Sequence, residues 1–147
     1  MIHATNEGST MLNEISKTAY QEATRIAKEY YDLIELRRQI EKEILYGSAA
    51  PADGMPGCRW PGNPTASLAE RMIREKEDVE RKLNALQIAF DALPTEWDRK
   101  LIRENLYRQP PIAMECLIAR GIPYSVRTMK RIRRDYIIAV AELLKLV

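Results

Sequence analysis

Gly121-Ile122-Pro123-Tyr124-Ser125-Val126-Arg127-Thr128-Met129-Lys130-Arg131-Ile132-Arg133-Arg134-Asp135-Tyr136 begins with a glycine and a proline-bearing turn, then runs on as an amphipathic helix. Ser125 is an N-cap residue by type and place, because its hydroxyl can accept one of the backbone N–H groups that a helix start leaves without a partner. From there to about Leu146 the apolar residues Met129, Ile132, Tyr136, Val140 and Leu143 recur at helical spacing and are expected to face a core. Upstream, Pro111 to Arg120 reads as a short helix with Ile112, Leu117 and Ile118 apolar, closed by Gly121. A short helix, a turn containing glycine and a longer helix make the sequence form of a helix-turn-helix.

The outward positions of the last helix carry the candidate chemistry. Ser125, Val126, Arg127, Lys130, Arg131 and Arg134 occupy its exposed first turns, with Arg133 at the flank and Arg120 at the end of the preceding helix. Between Arg120 and Arg134 there are six Lys/Arg and no acid. Positive charge on a helix start that enters a major groove is what reading DNA requires: Arg can grip guanine with two hydrogen bonds, and Lys and further Arg suit phosphates. These eight residues are the expected DNA-binding set.

Working toward the N-terminus, Thr95 caps a helix through about Arg108, with Trp97, Leu101, Ile102 and Leu106 on its apolar side and Pro110-Pro111 ending it. Leu93-Pro94-Thr95 separates this unit, residues 94–147, from a second amphipathic helix over 65–93. There Met72, Val79, Leu86 and Leu93 repeat at seven, Lys76 interrupts the offset row, and Ser67 with Glu70 has the spacing of a capping box. Residues 47–64 hold four Pro and four Gly and read as a loop; within it Trp60 is expected to plug an apolar groove rather than to bind anything. Residues 10–46 form a long amphipathic helix in which Leu12, Ala19, Ile26, Leu33 and Ile40 recur every seven residues. Such a helix either packs on the second one as an antiparallel hairpin or associates between chains as a coiled coil. Residues 1–9 are a polar, flexible tail. The expected fold is all-α: a long N-terminal helical hairpin with coiled-coil character, then a C-terminal helix-turn-helix.

Charge is divided unevenly along the chain. Residues 1–93 carry 12 Lys/Arg against 15 Asp/Glu, a balance of −3, while residues 94–147 carry 11 against 6, a balance of +5. The polyanion-facing surface therefore belongs to the C-terminal third. The start of the chain has no apolar segment of the secretory kind and no run is long enough for a membrane span. Cys58 and Cys116 cannot build a disulfide framework, which points to a reducing cytoplasm. His3 is the only histidine, no glycine-rich phosphate loop is present, and the carboxylates fall on solvated helix faces, so neither a metal, a cofactor nor an enzyme activity is expected.

Leu93-Pro94-Thr95-Glu96-Trp97-Asp98 with Leu101-Ile102, then Gly121-Ile122 and Ser125 to Arg131, resembles the fourth region of bacterial sigma factors. With Ile44-Leu45-Tyr46 and Gly62-Asn63-Pro64-Thr65 added, residues 35–147 are similar to phage late-gene transcriptional regulators of the RinA/ArpU kind. The turn Ile122-Pro123-Tyr124-Ser125 is longer than the usual Gly-Ile-Ser of that pattern. The resemblance implies activation of phage or prophage late genes in a bacterial host cell, through double-stranded DNA and with RNA polymerase as a further partner. The seven-residue repeat adds a homo-oligomer, dimer or higher. Two other readings stay open: a small-terminase-like subunit that recognises packaging DNA as a ring, and a coiled-coil interaction module.

Overall fold

The computed structural model describes residues 15–47 and 63–146. Among them are six α-helices, one π-helical turn and no strand: α1 (Lys17–Lys28), α2 (Tyr30–Gly47), α3 (Asn63–Asp91), α4 (Glu96–Ile102) continuing into the π-turn Arg103–Tyr107, α5 (Met114–Ala119) and α6 (Val126–Leu143). The all-α expectation holds. The readings placed on the 1–9 tail, on Leu12, and on Cys58 and Trp60 lie outside the described residues.

The long first helix is corrected in two ways. It begins after Ser16, whose side chain accepts the Ala19 N–H at 3.0 Å as an N-cap, and it is interrupted at Glu29. Aromatic packing holds the chain on the far side of the interruption. Tyr30 stacks on Tyr107 at 4.2 Å between ring centres, and Tyr31 meets the same ring edge-on at 6.3 Å. Offset and edge-on ring pairs of this kind stabilise by about 0.5–1.5 kcal/mol each beyond their burial. The Lys28 carbonyl at the break is taken by the Gln109 side-chain amide at 3.3 Å.

The second long helix is corrected at its start. It runs from Asn63, so Ser67 lies inside it and caps nothing, and Asn63 and Pro64 belong to helix rather than to the 47–64 loop. Proline is tolerated there because the first turn has no carbonyl partner for its missing N–H. Gly47, at the other end of that loop, is the last residue of α2.

The described residues divide into two compact units, 15–31 with 84–146, and 32–47 with 63–83. In the first, α1 packs on α6 and on the π-turn, α4 packs on α6, and α5 packs on α6. Leu86, Leu101, Leu106, Leu117, Ile122, Met129, Tyr136, Ile137 and Val140 form its fully buried centre. Each such side chain contributes about 1.5–3 kcal/mol by leaving water. Two buried phenols join there: the Tyr107 and Tyr136 hydroxyls bond each other, and the Tyr136 hydroxyl also donates to the Leu86 carbonyl at 3.3 Å.

In the second unit Leu33, Ile40, Val79 and Leu83 are buried. Lys76, the residue that interrupts the apolar repeat of α3, instead bridges Glu41 of α2 at 3.7 Å and Glu80 at 2.9 Å. The heptad row is thus covered within one chain: Ala19, Ile26, Leu33 and Ile40 are only 4, 2, 5 and 4 % exposed. Over residues 19–40 the row is therefore not the open face that an intermolecular coiled coil would use.

Candidate nucleic-acid interface

The link between α5 and α6 is fixed by backbone geometry. The Gly121 N–H donates to the Ile118 carbonyl at 3.0 Å and the Ile122 N–H to the Leu117 carbonyl at 3.1 Å, with Gly121 at φ +106°. This is the paired-bond helix stop that requires a left-handed residue, hence glycine. A Cβ at Gly121 would meet nothing within 4 Å, so the requirement is conformational and not one of space. Ile122 then drops into the same cluster as Leu117, Met114, Leu101 and Met129, against which Tyr124, Val126 and Ile132 also pack. One apolar core therefore sets the placing of α4, α5, the turn and α6.

Ser125 caps α6 as expected: its Oγ accepts the Thr128 N–H at 3.2 Å, and its hydroxyl donates to the Thr128 Oγ1 at 3.1 Å. The turn is held from the other side by a polar knot absent from the sequence reading. The Tyr124 hydroxyl donates to Asp98 Oδ1 at 2.7 Å, the Thr95 hydroxyl donates to the same oxygen at 2.9 Å, and the Asp98 N–H returns to Thr95 Oγ1 at 3.2 Å. Asp98 is the buried charged residue among those described, and these bonds together with its place in the first turn of α4 account for it. The Thr95 contact pulls the Tyr124 pKa down, but the Asp98 bond, burial and the carboxylate charge outweigh it, and the net direction is upward. The Thr-x-x-Asp spacing was the available signal for Asp98; nothing in the sequence placed Tyr124 beside it.

Of the eight expected DNA-binding residues, Arg120, Ser125, Arg127, Lys130, Arg131 and Arg134 are exposed, and Val126 and Arg133 are half-buried. Arg127, Lys130, Arg131 and Arg134 line one open depression along α6 with Val126 and Thr128. No ion pair or side-chain hydrogen bond within the described residues engages any of the six cations. Cations of the neighbouring elements behave differently: Arg99 and Arg103 share Glu96 at 3.0 and 3.2 Å, and Arg108 holds Glu104 at 3.2 Å. The two arginines hold the Glu96 carboxyl below its usual range through those bonds.

The placement of charge also runs against the helix dipole. α4 and α5 carry acids in their first turns, Glu96 and Asp98 in one and Glu115 in the other, whereas α6 carries none. Arg127 sits there instead, where a positive side chain costs a few tenths of a kcal/mol or more, and Lys130 follows in the next turn. The helix thus accumulates positive potential that folding does not use.

Three apolar assignments are corrected. Trp97 is 41 % exposed, with Lys100 Nζ 5.8 Å from its ring centre, because α4 turns Asp98, Leu101 and Ile102 inward and carries Trp97 to the rim. Ile118 is exposed for the same reason on α5, where Met114 and Leu117 take the inner face. At the end of α6, Leu143 is 42 % exposed and Leu144 is buried, since the arc through Ile137, Val140 and Ala141 continues to position 144.

Among the described residues no three His, Cys, Asp or Glu come close enough to hold a metal ion, and no helix is long and apolar enough to cross a membrane. Comparison with family models, with curated proteins and with solved structures finds no match to this chain.

Proposed function

We propose that the chain is a sequence-specific, double-stranded-DNA-binding regulator of transcription, without enzymatic activity. In this reading α5, the Gly121 turn and α6 are a helix-turn-helix, α6 is the recognition helix, and α2 and α3 form the helical hairpin. The observation that carries it is the unpaired, acid-free set of cations on the outer face of a helix whose inner face is bolted to α4 and α5 by one core. An unscreened cluster of one sign raises the local concentration of polyanions and speeds their capture. The likeness to phage late-gene activators adds the biological setting: a bacterial cytoplasm, late phage or prophage promoters, and RNA polymerase as partner. Self-association, if it aligns two half-sites, draws on a surface other than the buried row at 19–40.

The test is binding of the full chain to DNA from its own genomic neighbourhood, measured by fluorescence anisotropy across salt concentrations. Arg127→Ala or Arg131→Ala should cost about 1–3 kcal/mol of specific binding for a base-edge contact. Arg134→Ala should weaken all sequences alike and lower the salt slope by about one unit, as loss of a phosphate contact does. A folded protein whose affinity is unmoved by all three changes places the DNA surface elsewhere and ends this reading.

A further inference from the structure

Beside the recognition face lies a second cleft of about 460 Å³, with Tyr20 of α1, Asn105 of the π-turn, Glu115 of α5, and Lys130, Arg133 and Arg134 of α6 among its lining. Among the described residues Arg133 Nε is shielded from solvent and has no hydrogen-bond partner. A shielded, charged donor left unmatched is costly and uncommon in a settled fold. Three cations against the single carboxylate of Glu115 leave the cleft positive. Asn105 donates to the Ile112 carbonyl at 2.9 Å, which fixes its carboxamide at the wall and leaves its second N–H for another acceptor.

Resting on the proposed DNA-binding function, we propose that this cleft seats a backbone phosphate of the duplex, with Arg133 as its central cation and Tyr20 and Asn105 as flanking donors. The phosphodiester supplies the two-oxygen acceptor that a guanidinium prefers and that the described residues do not provide. Lys130 and Arg134 line both this cleft and the depression along α6, so a strand tracking the recognition helix passes directly from one to the other. Helix α1 thereby joins the interface, far in sequence from the helix-turn-helix. Glu115 opposes the phosphate and sets a ceiling on sequence-independent affinity.

The experiment measures anisotropy of the full chain on a mixed-sequence duplex between about 50 and 200 mM KCl, where backbone contacts dominate. Arg133→Gln should weaken binding several-fold and lower the salt slope by about one unit, and Arg133→Lys should restore most of the slope. Tyr20→Phe should weaken binding about two- to three-fold, a modest loss for one uncharged donor. Glu115→Gln should tighten binding to every sequence, a change of opposite sign that lost folding cannot mimic. Thermal melting of each variant separates a folding defect from a binding defect. If Arg133→Gln and Glu115→Gln leave the mixed-sequence affinity unchanged while Arg127→Ala and Arg131→Ala weaken binding to DNA from the chain's own genomic neighbourhood, the phosphate seat is wrong and the DNA-binding function stands. If the wild-type chain binds no duplex, both fall. If inorganic phosphate raises the melting temperature of the wild type but not of Arg133→Gln, and duplex affinity is the same for both, the cleft takes a free phosphate instead of the backbone and the proposal is overturned.

Discussion

Tyr136→Phe isolates one hydroxyl in the middle of the unit that carries the candidate interface. Tyr136 and Tyr107 are 2 and 3 % exposed, and their hydroxyls bond each other. The Tyr136 hydroxyl also donates to the Leu86 carbonyl at 3.3 Å. Removing it strands the Tyr107 hydroxyl, whose one hydrogen-bond partner among the described residues is Tyr136, in a dry site. A buried polar group left without a partner costs about 1–3 kcal/mol, to which the lost bond adds roughly 1 kcal/mol. The carbonyl of Leu86 is less affected, since it lies inside α3 and keeps its place in the helical ladder. Tyr107→Phe is the milder change, because Tyr136 retains Leu86 as acceptor; about 1 kcal/mol is expected. The double variant strands neither group and should cost less than the two single losses added, with a coupling of about 1 kcal/mol. Urea unfolding followed by circular dichroism measures all three, and thermal melts should move by roughly 3 °C per kcal/mol. Additive losses, or a Tyr107→Phe variant weaker than Tyr136→Phe, would refute the reasoning.

Burial drives the pKa of both phenols up, with the bond between them lowering Tyr107 and raising Tyr136. Each keeps its proton more tightly folded than unfolded, so its contribution is complete below about pH 10 and is lost as the pH rises beyond that, by up to about 1.4 kcal/mol per pH unit per tyrosine. Melting temperatures recorded from about pH 8 to 11 check the slope, which the double Phe variant should flatten. Met129→Ala empties a fully buried position between α5 and α6 and should destabilise by about 2–5 kcal/mol in chemical denaturation. Gly121→Ala should cost about 1–2 kcal/mol through its left-handed backbone alone, with no steric addition; a loss well beyond that range in chemical denaturation would refute the purely conformational account. Ile26→Asp with Leu33→Asp should unfold or strongly destabilise a single chain, because both side chains are buried within it. A folded double variant that only lowers the mass seen by light scattering would instead restore the intermolecular coiled coil.

Local signals wrote much of this protein directly. The 3.6-residue spacing of Met129, Tyr136 and Val140, the cap at Ser125 and the stop at Gly121 set the limits and inner face of α6, because each depends on neighbours within one or two turns. The same locality exposed the outer cations, since a helix that buries one stripe presents the other. What the sequence left open was decided by contacts between distant segments. The start of α2 after the break at Glu29 packs on Tyr107, and the burial of Asp98 answers to Tyr124, 26 residues away. Arg133 looked like one more member of a charged run until α1, the π-turn and α5 enclosed it with Tyr20, Asn105 and Glu115. Periodicity reports which side of a helix is apolar; it carries no information on which other segment covers that side. That choice depends on the summed packing and hydrogen bonding of the whole unit, and it turned a seven-residue repeat that could have faced another chain into the core of this one.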